Sequence, residues 1–82
     1  MLKIYGSMLC KDCVECVEDL KKANVDFEFL DFADSLLYLK EFLAIRDGND
    51  QFNAAREKGS IGIPAIVKED GSVTLDWDEF LK

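Results

Sequence analysis

Eighty-two residues are enough for one domain and too few for two. Seventeen acids against ten bases give a net charge of −7, and there is no histidine, which excludes a phosphate-backbone-binding surface, a Ser-His-Asp triad, a Cys-His pair and any histidine-based metal site. The 49% apolar fraction excludes a disordered chain, and no apolar run approaches the roughly 18 residues of a membrane helix.

Leu2-Lys3-Ile4-Tyr5 alternates apolar and polar residues, then tightens into Gly6-Ser7, a short strand ending in a loop. Residues 11–23 are predicted to be helical, because Cys13, Cys16, Val17 and Leu20 recur at i, i+3, i+4 and i+7. Asp12, Glu15, Glu18 and Asp19 crowd its early turns and Lys21-Lys22 its end, as the helix dipole favours, and Asn24 supplies a stop. Val25 to Phe32, rich in β-branched and aromatic residues, is a second strand, with Phe27, Phe29 and Phe32 as strand core. Strand, helix and strand within about 30 residues predict a right-handed parallel βαβ unit. Asp34 or Ser35 can cap the next helix, whose apolar stripe is Leu36, Leu39 and Phe42 or Leu43 and which runs to about Arg46. Asp47-Gly48-Asn49 breaks it, and Asp50 to Lys58 forms another short helix stopped by Gly59. Ile61 to Val67 is a buried strand with the chain's only proline, Pro64, near its start. Glu69-Asp70-Gly71-Ser72 is a hairpin turn, Val73-Thr74-Leu75 the returning strand, and Trp77 to Lys82 little more than a helical turn. The order βαβααββα predicts one α/β domain over residues 1–82, with a four-stranded mixed sheet flanked by helices. Residues 1–5 lack the apolar stretch of a signal peptide, so the expected setting is the cytoplasm, and a monomer without nucleic-acid or membrane partners is expected.

All three cysteines lie between positions 10 and 16. Cys10-Lys11-Asp12-Cys13 directly follows a strand and opens a helix. A thiol at a helix N-terminus faces unpaired backbone N–H groups and the positive end of the dipole, which favour thiolate, and Lys11 adds a nearby positive charge. An ordinary thiol with a pKa near 8.5 is roughly 3% thiolate at pH 7, and a downward shift of about two units would make thiolate the major form. Asp12 and Glu15 oppose that shift. Cys10 is therefore the expected nucleophile, attacking a substrate disulfide to form a mixed disulfide, and Cys13, one turn deeper, the resolving thiol. The competing reading is a pair of packed or metal-binding cysteines. Cys16 forms a second CxxC with Cys13 inside the helix, where Cβ atoms stand about 5–6 Å apart against the roughly 3.8 Å of a disulfide. It is expected as a core residue, with a third redox partner or thiolate ligand as the alternative. A metal held by four protein thiolates is excluded by count.

Pro64 is the second clue. An X-Pro bond can be cis, and beside the CxxC a cis bond is expected, turning the Ile63 backbone outward to pair with an extended peptide or thiol substrate. The alternative is an ordinary trans proline at a strand edge. Trp77 is expected to cover the core edge, with stacking on a substrate as the alternative.

The run Ile4-Tyr5-Gly6-Ser7-Met8-Leu9-Cys10-Lys11-Asp12-Cys13, with Gly62-Ile63-Pro64 and Asp70-Gly71, resembles the glutaredoxin family of the thioredoxin superfamily, and small bacterial glutaredoxin-like proteins in particular. The resemblance spans most of the chain and implies a thioredoxin fold and thiol-disulfide exchange. It implies Cys10 as nucleophile, Cys13 as resolving thiol and Pro64 as the cis-proline. It also implies that the Ile63 backbone pairs with the cysteinyl part of bound glutathione. Lys11-Asp12 replaces the family's usual Pro-Tyr, Ser7 a usual lysine, and Gly62-Ile63 the usual Thr-Val. Leu75-Asp76 stands where the family has Gly-Gly, and Trp77-Asp78 where it has Ser-Asp, so side chains crowd a pocket that glycines leave open. The expected function is reduction of protein disulfides, or of mixed disulfides with low-molecular-weight thiols, with Lys11, Ile63, Pro64, Trp77 and Asp78 contacting substrate. No bound cofactor and no metal is expected; glutathione or another low-molecular-weight thiol is the candidate co-substrate. A thiolate metal or iron–sulfur module, and a non-catalytic adaptor of the same fold, are the alternatives.

Overall fold

A computed structural model describes residues 1–81. Its elements are β1 (Leu2–Gly6), α1 (Lys11–Lys22), β2 (Phe27–Asp31), α2 (Leu36–Arg46), a 3-10 turn (Asp50–Phe52), α3 (Asn53–Glu57), β3 (Ala65–Val67), β4 (Val73–Thr74) and a second 3-10 turn (Trp77–Phe80). The four strands form one mixed sheet in the order β2-β1-β3-β4. β1 runs parallel to β2, from Leu2 opposite Phe27 to Gly6 opposite Asp31. It runs antiparallel to β3, with Ile4 opposite Ile66, and β3 is antiparallel to β4. Among the described residues, no helix is long and apolar enough to cross a membrane.

Strand alternation sends apolar side chains to both faces of the sheet, and each face has its own core. On one face Leu2, Ile4 and Ile66 pack with Cys16 and Leu20 of α1, edged by Val25, Phe27, Phe29, Trp77 and Phe80. On the other, Tyr5, Leu30 and Ala65 pack with Phe42 of α2 and Phe52, edged by Phe32, Tyr38, Leu39, Ile45 and others. Phe42 lies between Phe32 and Phe52, at centroid distances of 5.2 and 5.9 Å. These tilted and edge-on contacts suit aromatic quadrupoles.

The helix ends explain where the chain turns. Asn24 has φ 57°, the Asn24 amide donates to the Lys21 carbonyl, and the Val25 amide donates to the Leu20 carbonyl. This is a Schellman closure, with Val25 and Leu20 in the same core cluster. It withdraws Val25 from the predicted strand, which starts at Phe27. Gly59 (φ 73°) closes α3 in the same way, the Ser60 amide reaching the Ala55 carbonyl at 2.8 Å. Ser35, not Asp34, caps α2, its hydroxyl accepting the Leu37 amide at 3.1 Å.

Several elements differ from expectation. Phe32 lies beyond β2, which ends at Asp31, and the Asp50–Lys58 helix divides into a 3-10 turn and α3. Leu36 and Leu43 do not face the core; they are 74% and 46% exposed. Phe42 is the fully buried residue of α2, flanked by Tyr38, Leu39 and Ile45. The segment Leu36-Leu37-Tyr38-Leu39 is apolar all round, so several stripes fit its sequence equally well. The segment Ile61-Gly62-Ile63 is not strand. Gly62 has φ 96°, outside the β region, and pairing begins only at Ala65. Leu75 likewise falls outside β4.

Candidate functional site

Cys10 is the N-cap of α1, in extended conformation (φ −92°, ψ 125°). Its amide donates to the Ser7 carbonyl at 3.0 Å, and its carbonyl accepts the Val14 amide at 3.1 Å. The Cys10 side chain sits at the helix N-terminus, as expected, and makes no capping hydrogen bond to the first-turn amides. The thiol instead lies within hydrogen-bond reach of Cys13 and is partly open to solvent.

Cys13, three residues on, is fully buried. Burial is the main cause that pushes its thiol up to about 12, with the neighbouring Cys10 and Cys16 adding to the rise. A hydrogen bond with the Ser7 backbone works in the opposite direction. Gly6 makes room for this sulfur: a Cβ there would stand 2.6 Å from Cys13 Sγ and 3.4 Å from the Phe29 ring. Gly6 is not among the glycines with positive φ, so the requirement is one of space alone. Cys16 belongs to the α1-side core, and burial pushes its thiol up to about 12 as well. All three cysteines are free thiols. Among the described residues, no three Cys, Asp or Glu side chains converge on a common point that could hold a metal ion.

A groove of about 260 Å³ meets the Cys10–Cys13 segment at Asp12, and neither cysteine is part of its wall. Its wall contains Asp12 from α1, Ala54, Ala55 and Lys58 from the α3 region, Ser60, Gly62, Ile63, Pro64, Leu75 and Trp77. The Ile63–Pro64 bond is cis, as expected. Trp77 covers the core edge, as expected, and its side chain also borders the groove. Its indole Nε1 donates to Asp19 Oδ2 at 2.9 Å. Gly62 is held where no other residue fits easily. Beyond its positive φ, a Cβ would lie 2.6 Å from Phe52 Cδ1.

The structure therefore brings Ile63, Pro64 and Trp77 into one groove with Asp12 of the Cys10–Cys13 segment. Two other expected contacts lie elsewhere. Lys11 is the exposed first residue of α1 and is absent from the groove wall, where Asp12 stands instead. Asp78 is exposed, and its amide donates to Asp76 Oδ1 at 3.0 Å in the turn after β4. Lys58 was not foreseen; it is the one basic side chain in the wall, as Asp12 is the one acid.

The chain is similar to an uncharacterized protein of Haemophilus influenzae, with 34% identity over 73 residues that cover 89% of this chain and 85% of that protein. No family model matches the chain. No solved structure matches it.

Proposed function

The chain belongs to the same family as that Haemophilus influenzae protein, and we propose that it is a glutaredoxin-like dithiol oxidoreductase with a thioredoxin fold. The observation that carries this reading is the asymmetry of one cysteine pair. Cys10 is part-exposed at a helix N-cap, and Cys13 is buried behind it within hydrogen-bond reach. The sheet order β2-β1-β3-β4, with β1 parallel to β2 and antiparallel to β3, supports the fold, as does Pro64 in the adjoining groove.

In the proposed reaction the Cys10 thiolate attacks one sulfur of a substrate disulfide. The substrate S–S bond breaks, a Cys10 mixed disulfide forms, and the departing thiolate takes up a proton. Until then the charge on Cys10 helps to keep Cys13 protonated. Once Cys10 is bonded that charge is gone, so burial is the main cause that still opposes the Cys13 thiolate, and the Ser7 hydrogen bond partly offsets it. Cys13 then gives its proton to the second leaving sulfur, attacks Cys10 Sγ and closes an internal disulfide. Two molecules of a low-molecular-weight thiol, such as glutathione, restore the dithiol and leave as one disulfide. Lys58 supplies the local cation that a chain of net charge −7 needs to hold an anionic thiol.

Turnover of a small mixed disulfide, coupled to thiol oxidation, tests the assignment. Cys10→Ser should lower the rate by at least about a hundredfold, and Cys13→Ser should accumulate a mixed disulfide on Cys10 visible by intact mass. Full activity in Cys10→Ser would sink the proposal.

A further inference from the structure

The chain has two arginines, Arg46 and Arg56, and both line one cavity of about 390 Å³ at the C-terminal end of α2. Leu43 and Asp47 complete its wall. Neither guanidinium forms an ion pair with a carboxylate among the described residues. Arg56 Nη1 donates to Asn53 Oδ1 at 2.7 Å and its Nη2 donates to the Arg46 carbonyl. Arg46 Nη2 donates to the Ser60 carbonyl at 3.4 Å. These contacts hold both forks in place and use three of their roughly ten N–H donors. Arg46 Nε is buried with no hydrogen-bond partner among the described residues. This nitrogen is closed off from the surface, so it is the remaining terminal N–H groups of the two guanidinium forks that are left for a ligand in the cavity.

We propose that this cavity binds a phosphate monoester. Its phosphate oxygens take the free guanidinium donors, whose planar forks match a phosphate two bonds at a time. Its carbon part lies on Leu43, which is 46% exposed. A carboxylate has fewer acceptor oxygens for two forks, and inorganic phosphate leaves Leu43 uncovered. The cavity is not the thiol groove: Ala54, Ala55 and Lys58 line the groove, and Arg56 lines the cavity. Asp47 is the one acid in the wall and opposes the anion.

The test is a titration of reduced, ¹⁵N-labelled full-length protein with phenyl phosphate and with inorganic phosphate at constant ionic strength, read at the arginine Nε–Hε resonances. Saturable movement of the Arg46 signal is expected, with phenyl phosphate roughly threefold or more tighter than inorganic phosphate. Arg56→Gln should weaken phenyl phosphate roughly tenfold, and Asp47→Asn should tighten it roughly twofold. Arg56→Lys keeps a donor for the Arg46 carbonyl but loses the fork. It should retain the native amide spectrum and bind with intermediate affinity, which keeps the test decisive if Arg56→Gln does not fold. Absence of saturation below about 10 mM, unchanged affinity in both Arg56 variants, or equal affinity for the two probes would overturn the proposal.

Discussion

Gly6→Ala tests the geometry of the cysteine pair more sharply than removal of either thiol. The added methyl would lie 2.6 Å from Cys13 Sγ. Ordinary non-bonded contacts between heavy atoms lie near 3.5–4.0 Å, so the sulfur must retreat by about 1 Å. Cys13 is fully buried, so nothing around it yields freely. Overpacking of this kind costs about 1–3 kcal/mol. The backbone contributes in the other direction, because Gly6 does not have a positive φ and alanine stiffens the unfolded chain. Urea unfolding of the reduced protein, followed by the fluorescence of Trp77, measures the loss. The decisive measurement repeats it on a Cys13→Ala background, where the clashing sulfur is gone. There the cost of Gly6→Ala should drop below about 0.5 kcal/mol, a coupling of about 1–2 kcal/mol between the two positions. Equal costs in the two backgrounds would refute the claim that Gly6 exists to admit this sulfur. On the proposed chemistry the displaced Cys13 also resolves mixed disulfides on the order of tenfold more slowly.

Burial pushes the Cys13 and Cys16 thiols up to about 12, so the folded protein keeps protons that the unfolded chain releases above about pH 8.5. Their contribution to stability is therefore complete below that pH and is lost as pH rises toward 12, by about 1 kcal/mol per pH unit for each thiol. Urea midpoints between pH 8 and 11 should fall more gently in Cys16→Ala than in the parent, and parallel curves would contradict the burial argument. Gly62→Ala and Gly71→Ala form a matched pair, with φ 96° and 89°, but only Gly62 faces a neighbour, Phe52 Cδ1, at 2.6 Å from the new methyl. Gly71→Ala should cost about 1 kcal/mol and Gly62→Ala at least about 2 kcal/mol more, read from urea midpoints; similar losses would show that Phe52 simply moves aside. Lys58→Glu should raise KM for an anionic mixed disulfide severalfold with kcat unchanged. That effect should shrink at high salt, and an unchanged KM would remove Lys58 from substrate binding.

The parts legible in the sequence were those where one face is buried and one is not. In α1 the recurrence of Cys13, Cys16, Val17 and Leu20 identified all four buried residues of the helix. The α2 stripe held at Leu39 and Phe42 but not at Leu36 or Leu43, since the first turn is apolar all round and the position of Phe32 and Phe52 selects Phe42. Ile61-Gly62-Ile63 read as strand because an apolar run carries no period, and such a run does not announce the positive φ of Gly62 that takes the chain out of the β region. Within the candidate site, Ile63, Pro64 and Trp77 were legible through spacing and resemblance. Lys11 was not, because successive helix residues point about 100° apart, and it is Asp12 that turns to the groove. The role of Gly6 was hidden as well: its partner Cys13 meets it only after α1 has folded back on the sheet.

The arrangement separates two properties that sequence reading had joined. The cysteine pair is set by the β1–α1 junction, through the Ser7 hydrogen bond, the space at Gly6 and burial on α1. The opposite wall of the groove, with its one cation, comes from the segment between α2 and β3. That segment is fastened independently, by Phe52 in the α2-side core and by the Arg46 and Arg56 contacts to Ser60, Asn53 and the α2 terminus. A change at Lys58 can therefore alter which anion enters the groove without moving either sulfur. A change at Gly6 moves a sulfur and leaves that wall in place. If the proposed oxidoreductase reading holds, substrate preference and thiol chemistry are carried by different parts of this chain and can be varied one at a time.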